Sequence, residues 1–390
     1  MPRPYDGVAL VTPVSLPYMK VSERGATWFI GNVLAELLAV SSLEKQQIDG
    51  LAVSTHSLVP DTVVSLTEHF GLAPRWIEQL PTGGASGVMS MQRAARAVQA
   101  GDAEVVACIG GDTCQPATFR TLVADFSRFS KDAASPYGGA GPNGTFALIT
   151  RNYMERYGVK REDFGRVCVT QRYNAQHYPQ ALLRKNMSME DYLNARPIAE
   201  PLCLLDCVMP CAGGEGFLVM SVDRARSLGL PYAEVLAAGE RHNAYFDDHI
   251  QIRGGWATYR EGLYADAGLG PQDMDFIETY DDYPVIVLQQ FEDLGFCEKG
   301  EVARFVRETP LTFDGGGLPS NTSGGQLSVG QAGFAGGFLG IVEGIRQLTG
   351  SDLANLVPGA EVGLVSGYGM VMYDHCLCTS ATIIKRGDHA

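Results

Sequence analysis

The 390-residue sequence has no run of eighteen apolar residues, which argues against a membrane-spanning helix. It also lacks any Lys/Arg-rich segment. Thirty basic residues face 44 acidic ones, for a formal net charge of −14, and a surface of that sign repels a phosphate backbone, so no nucleic acid is expected as a partner. Charged residues are scarce, 19% against 45% hydrophobic, a balance that excludes disorder and implies a soluble globular chain with a sizeable core. There is no GxxxxGK[ST] string, no HExxH and no CxxC, and the frame around Ser86 reads GASGV rather than GxSxG. P-loop, zincin and serine-hydrolase chemistry therefore have no support. The start, MPRPYDGVALVTPV, has neither a basic opening nor an apolar core, and the end, KRGDHA, carries no lipidation box. The nine cysteines are odd in number and sit mostly in apolar stretches, which fits reduced buried thiols. A cytoplasmic protein is the expectation.

What is abundant is glycine, 46 residues gathered in short strings between apolar segments. Strand-like and helix-like segments alternate: DGVALVTPV, then Ala26 to Val40 with Trp28, Ile30, Val33, Leu34 and Leu37 on one stripe, then GLAVSTHS, a helix near Asp61 to Phe70, RWIEQL, TGGASG, a helix, and AEVVACIGGD. Such alternation predicts an α/β protein whose ligands bind at strand ends and helix N-termini. Gln115 to Cys211 is long, polar and irregular, and reads as an insertion capping the core. The alternation then resumes, with a helix near Ala257 to Ala267, strand DMDFIETY, a helix near Pro284 to Leu294, a helix near Gly330 to Leu348, and strands EVGLVSGYG and CLCTSATII. Similar element order in the two halves points to duplication of one α/β unit.

Four stretches carry candidate chemistry, among them the glycine-rich loop from Asp314 to Gly337, which runs into a helix and has Asn321, Ser323 and Gln331 as its polar candidates. In TGGASG (Thr82 to Gly87), glycines precede a helix, whose first amides attract developing negative charge. In ETYDDYP (Glu278 to Pro284), two acids and two tyrosines stand at a strand's end, where one acid suffices to cap the following helix. VSGYGMVMYDHC (Val365 to Cys376) reads as a glycine turn around Tyr368, followed by His375. GAGPNG (Gly139 to Gly144) lacks the preceding strand that a dinucleotide fingerprint needs. Cys203, Cys207 and Cys211 are spaced by four, but Pro210 interrupts a helix there, so no metal site is expected.

Taken in order, TGGASG, MERYG, EPLCLLDC, ETYDDYPVIVLQQFEDLGFCEKGE, LPSNTSGGQLSVGQAG with VEGIRQLTG, and GLVSGYGM resemble the thiolase superfamily, of the sterol carrier protein X and lipid-transfer-protein type, over nearly the whole chain. The resemblance implies a thiolase-like duplicated five-layer αβαβα fold. It places an N-terminal half at 1–230, with the capping insertion at about 115–211, and a C-terminal half at 231–390. It implies a homodimer acting on coenzyme A thioesters as substrate, with no bound cofactor. Three positions depart from that family: Gly84 stands where a thiolase has its nucleophilic cysteine, Gln331 where it has a histidine, and Val365 where it has a second cysteine. Without a thiolate there is no acyl-enzyme.

The branch resembling steroid side-chain aldolases also lacks the cysteine. It cleaves β-hydroxyacyl-CoA by a retro-aldol step, with a tyrosine at the position of Tyr280 and a second one where this chain has Gln331. On that resemblance Tyr280, Asp281, Asp282 and His375 are the catalytic candidates, and Gly83, Gly84, Ser86, Asn321, Gln331, Gly367 and Tyr368 the substrate-binding ones. Amides near Gly84 and the Gly367 to Gly369 turn would hold the enolate oxygen. Two alternatives stay open: a non-catalytic acyl-CoA-binding scaffold, and an acetyl-CoA acyltransferase with a displaced cysteine. Thiolase-like chains of this kind often pair with a zinc-ribbon and OB-fold acyl-CoA-binding subunit, for which this chain carries no cysteines of its own.

Overall fold

Short apolar or alternating segments make the strands and amphipathic stretches between them make the helices, in the order that the alternation predicts. The computed structural model describes residues 4–115, 133, 135–137, 141–350 and 352–388. The first half contains β1 (Val8–Ser15), α1 (Ala26–Ser41), β2 (Gly50–Ser54), α2 (Val63–Phe70), β3 (Trp76–Gln79), α3 (Ser86–Ala100) and β4 (Val105–Asp112). Then come α4 (Gly141–Tyr157), α5 (Arg161–Ala175), α6 (Met189–Leu193), the small pair β5 (Pro197–Ala199) and β6 (Leu202–Cys203), and β7 (Gly213–Ser221) with α7 (Val222–Ser227). The rest holds β8 (Tyr232–His242), α8 (Arg260–Ala267), β9 (Phe276–Glu278), α9 (Pro284–Asp293), α10 (Val302–Glu308), α11 (Gly325–Val329), α12 (Gly336–Thr349), β10 (Val362–Met372) and β11 (His375–Arg386).

Nine strands form one sheet in the order β3-β2-β4-β7-β1-β8-β11-β10-β9. Its pairings repeat. β2 runs parallel to β4, β4 antiparallel to β7, and β7 antiparallel to β1; likewise β9 runs parallel to β10, β10 antiparallel to β11, and β11 antiparallel to β8. The two units meet where β1 pairs with β8. A parallel bridge from Ile277 to Ser320 stands beside β9 where β3 stands beside β2. This is the duplication, visible in hydrogen bonding though not in residue identity.

Period-two alternation sorts the strand side chains into layers. Ala9, Val11, Leu51, Val53, Ala107 and Leu218 face Ile30, Val33 and Leu37 of α1. Their neighbours Leu10, Ala52, Val106, Cys108 and Phe217 face inward, against Val88 and Met91 of α3 and Phe338 and Ile341 of α12, where Phe276, Val365 and Ile384 of the second unit join them. Ile277, Leu364 and Ile383 point the other way, to α8 and α9. The result is five layers, helix, sheet, helix, sheet, helix.

Three sequence expectations need correction. Trp28 lies off the buried stripe of α1, where Phe29 is buried instead and the Arg24 guanidinium covers the indole at 4.0 Å. The last long helix begins at Gly336, after a separate 3₁₀ turn at Gly333–Ala335. Gly367 to Gly369 is no turn at all but the middle of β10; the chain reverses at Tyr373 and Asp374, both with left-handed φ, 49° and 64°. Residues 116–132 and 138–140 of the expected cap lie outside the described residues. All nine cysteines are free thiols. Among the described residues no helix is long and apolar enough to cross a membrane and no cluster could hold a metal ion.

Candidate active site

The N-termini of the two central helices converge. α3 is preceded by a 3₁₀ turn at Gly83–Ala85 and α12 by one at Gly333–Ala335, and a Cβ on Gly87 would run into the Gly337 carbonyl, so the helices touch backbone to backbone. The strand ends of both units come to the same place. His56 follows β2 as Tyr280 follows β9. Together these groups border a cavity of about 430 Å³, within the range of ~300–1,000 Å³ of small-molecule sites, with mostly apolar walls that include Phe146, Ile198, Leu204, Val208, Phe334 and Val371.

The polar cluster in this cavity is Tyr280, Asp282 and Gln331. Gln331 Nε2 donates to Asp282 Oδ1 at 2.6 Å and to the Tyr280 hydroxyl at 3.2 Å, so one amide holds both groups. Burial lifts the Asp282 carboxyl to about 7, against the lowering by Tyr280 and Gln331. Burial, and then the Asp282 charge, push the Tyr280 phenol well above its usual range. Tyr280 thus stays a neutral phenol beside a carboxyl that titrates near neutrality. Its ring lies nearly parallel to that of Tyr368, centroids 6.3 Å apart at 9°, and Tyr368 is fixed by donating to Gln251 Oε1 at 2.7 Å.

Gly84 explains the placement of Tyr280. A Cβ at Gly84 would fall on the Tyr280 ring and against the Tyr368 carbonyl oxygen. The space that a side chain at position 84 would need is occupied by the phenol. The glycines of β10 serve the same packing: a Cβ on Gly369 would collide with the Thr82 carbonyl, and one on Gly367 would sit 2.8 Å from Ala85 Cα and from the Gly84 carbonyl oxygen. β10 can therefore lie directly on the 82–85 turn. Beyond it Met370, with left-handed φ of 59°, faces the cavity.

The structure separates the other candidates from this cluster. Asp281 points away from Asp282, as successive residues of extended chain do, and accepts the Gln326 and Leu327 amides at 2.9 and 3.1 Å at the start of α11. It thus caps α11 and not the helix that follows it, since the N-cap of α9 is Tyr283, with no side-chain cap bond, and burial raises it also, to about 7. Ser86 is fully buried and bonds Leu80 O and Thr82 Oγ1 rather than lining the cavity. Asn321, buried with φ of 48°, clasps Thr279, accepting from its N–H and hydroxyl and donating to its carbonyl. Gly367 packs under the 82–85 turn. His375 opens β11 in a separate small crevice with Arg241, Asn243 and Arg253, and its buried Nδ1 has no partner among the described residues. It does not border the cavity of Tyr280. Gly83, Gly84, Gln331 and Tyr368 do.

Some wall residues lie outside the catalytic and substrate-binding candidates. Tyr283 stacks on Phe146 (4.1 Å, 23°) and donates to Asn143 Oδ1, so α4 closes one side. His56 stacks flat on Phe334 at 4.9 Å. Beneath it Asp112, at the end of β4, accepts from the amides of His56, Ser57 and Phe334 and from the Thr55 and Ser57 hydroxyls. Its position at a strand's C-terminal end was the available clue. Cys114, Cys207 and Cys211 also border the cavity. Burial pushes all three thiols up, Cys207 to about 12, which leaves no ready thiolate.

Comparison with known proteins agrees with this geometry. Residues 244–381 match the family model described as Thiolase C-terminal domain-like. A steroid side-chain-cleaving aldolase of Thermomonospora curvata is 32% identical over 374 residues, covering 89% of this chain and 93% of that protein. A 17-hydroxy-3-oxo-4-pregnene-20-carboxyl-CoA lyase of Mycobacterium tuberculosis is also 32% identical, covering 92% of this chain and 95% of that one. The solved structure of an Ltp2-ChsH2(DUF35) aldolase superposes with a TM-score of 0.82 at 30% identity, covering 97% of this chain and 98% of the other. By full-length similarity and duplicated topology, the chain belongs to the thiolase superfamily, in the branch that includes the steroid side-chain-cleaving aldolases.

Proposed function

We propose that this protein cleaves the Cα–Cβ bond of a β-hydroxyacyl-CoA by a retro-aldol reaction that uses Tyr280 and Asp282 and forms no acyl-enzyme. The observation that carries this reading is the Tyr280 ring in the space beside Gly84, with its hydroxyl held by the same Gln331 amide that donates to Asp282, whose carboxyl burial lifts to about 7. The Tyr280 oxygen takes the proton of the β-hydroxyl as its own proton passes to Asp282. The β-carbon becomes a carbonyl, and the electrons of the broken bond move to the thioester as an enolate. Gln331 holds both partners and leaves the phenol's proton directed at Asp282. The enolate oxygen faces the turn at Gly83 and Gly84 ahead of α3, where helix amides favour negative charge. Return of the proton from Asp282 through Tyr280 to the α-carbon completes a shortened acyl-CoA.

The apolar walls suit a bulky hydrophobic acyl group, and the relatives' names supply the class: the CoA ester of a steroid side chain. The aldolase structure pairs its chain with a DUF35 component. We take a subunit of that kind, with zinc ribbon and OB fold, to be the partner here. Among the described residues β3 is an edge strand of the sheet, with Ile77 exposed, and supports pairing with a second copy of the chain. Incubation with β-hydroxyacyl-CoA esters, with and without a DUF35-type partner, tests the reading: a released ketone or aldehyde with the shortened acyl-CoA is expected. Binding without product under both conditions would leave a scaffold instead.

A further inference from the structure

Tyr280 stands beyond the sheet. The β9 ladder to β10 ends with Glu278 paired to Val365, so strand hydrogen bonds do not hold the backbone of the residue that carries the chemistry. A single side chain does. Gln290, fully buried in α9, accepts the Tyr280 N–H at 3.1 Å and the Ser366 hydroxyl at 2.7 Å on Oε1, and its Nε2 donates to the carbonyls of Tyr280 at 2.7 Å and Ile286 at 2.8 Å. Both N–H groups and both lone pairs of the amide are used. The neighbours are held separately, Thr279 by Asn321 and Asp281 by the amides of α11.

We infer that Gln290 is a positioning residue for the C–C cleavage: its amide replaces the missing strand partner of Tyr280 and fixes the phenol between Asp282 and Gln331. The inference rests on the assignment of Tyr280 as the proton relay. The phenol must stay in reach of two groups at once, 3.2 Å from Gln331 Nε2 and beside the Asp282 carboxylate that the same amide holds, while its ring lies against Gly84 and Tyr368. A backbone free to shift by part of an ångström breaks that alignment while leaving the apolar cavity, and so substrate binding, in place. Gln290→Met keeps the bulk and deletes all four bonds. Gln290→Glu keeps the shape, and only when protonated does it regain a donor to the Tyr280 carbonyl.

The test is a double-mutant cycle, measuring kcat and KM with a β-hydroxyacyl-CoA substrate in the assembly with its partner, for the parent, Gln290→Met, Tyr280→Phe and the pair. We expect Gln290→Met to lower kcat on the order of a hundredfold with KM little changed, and to lower it by less than about twofold further once Tyr280 is Phe, because the two act as one unit. Relative to the parent at the same pH, Gln290→Glu regains part of kcat at acid pH and loses it as the pH rises, which also serves should the Met variant fold poorly. Equal losses in both backgrounds, a change confined to KM, or a pH-independent ratio of Gln290→Glu to the parent would overturn the inference alone. Full turnover in Tyr280→Phe would remove the relay assignment and the inference with it.

Discussion

At the scale of single residues, the site turns on an exchange between two positions far apart in sequence. Gly84 has no side chain and Tyr280 fills the space, so a neutral phenol stands at the turn ahead of α3. Tyr280→Phe is expected to cut turnover by roughly 10²–10⁴ and to leave the melting temperature close to that of the parent, since the ring and its packing remain. Asp282 sets the pH dependence. Its carboxyl ionises near 7, so kcat/KM climbs as the pH rises through about 7, and Asp282→Asn abolishes that limb. The same shift has a stability sign. A carboxyl raised above its ordinary value adds stability fully below that value, and this is lost as the pH rises through its folded value. Asp282→Asn therefore raises the melting temperature relative to the parent at about pH 8 and not at about pH 4, a difference that scanning calorimetry reads directly. The string ETYDDYP is legible as a site because two acids and two tyrosines exceed what a cap needs. Which acid caps and which works is not legible, because adjacent residues of an extended chain face opposite sides and only the position of α11 decides it.

At the scale of elements, the glycine strings illustrate how one composition serves two physical ends. TGGASG does open a helix, as its letters suggest. GYG in β10 looks the same on the page yet lies in mid-strand, because its task is close approach to the 82–85 turn and not reversal of the chain. No local pattern separates the two. Gly369→Ala forces a methyl against the Thr82 carbonyl and lifts β10 from that turn, so melting temperature and kcat fall together. Gly262, inside α8 with open space about its Cα, is the control: Gly262→Ala stabilises by about 0.5–1 kcal/mol and leaves turnover unchanged. The strands and long helices were readable from apolar periodicity to within a few residues, whereas His56 and Asp112 were not, since a strand end gives no hint of which strand it will meet.

At the scale of the whole molecule, the two units share one buried polar network as well as one sheet. Arg346 of α12 donates to Glu343 of its own helix, to Ser15 of β1 and to the Tyr178 hydroxyl, while Ser15 and Tyr18 donate to Glu215 of β7, whose carboxyl burial raises to about 8. Arg346→Met leaves the buried Glu343 carboxylate without its cation, and costs about 3–5 kcal/mol in denaturant unfolding. Because the network crosses between units, both lose structure in one transition. The element order of the two halves is legible in the sequence; the pairing of β1 with β8, which joins them, is a long-range contact that periodicity does not encode. The central claim is cleavage by proton relay with no covalent intermediate. Its most direct test is rapid-quench mass spectrometry of the protein, with its DUF35-type partner, during turnover of a β-hydroxyacyl-CoA. The account predicts released carbonyl product and shortened acyl-CoA, an unmodified protein mass throughout, and loss of product in Tyr280→Phe. An acyl adduct on a cysteine that rises and decays with turnover would contradict it.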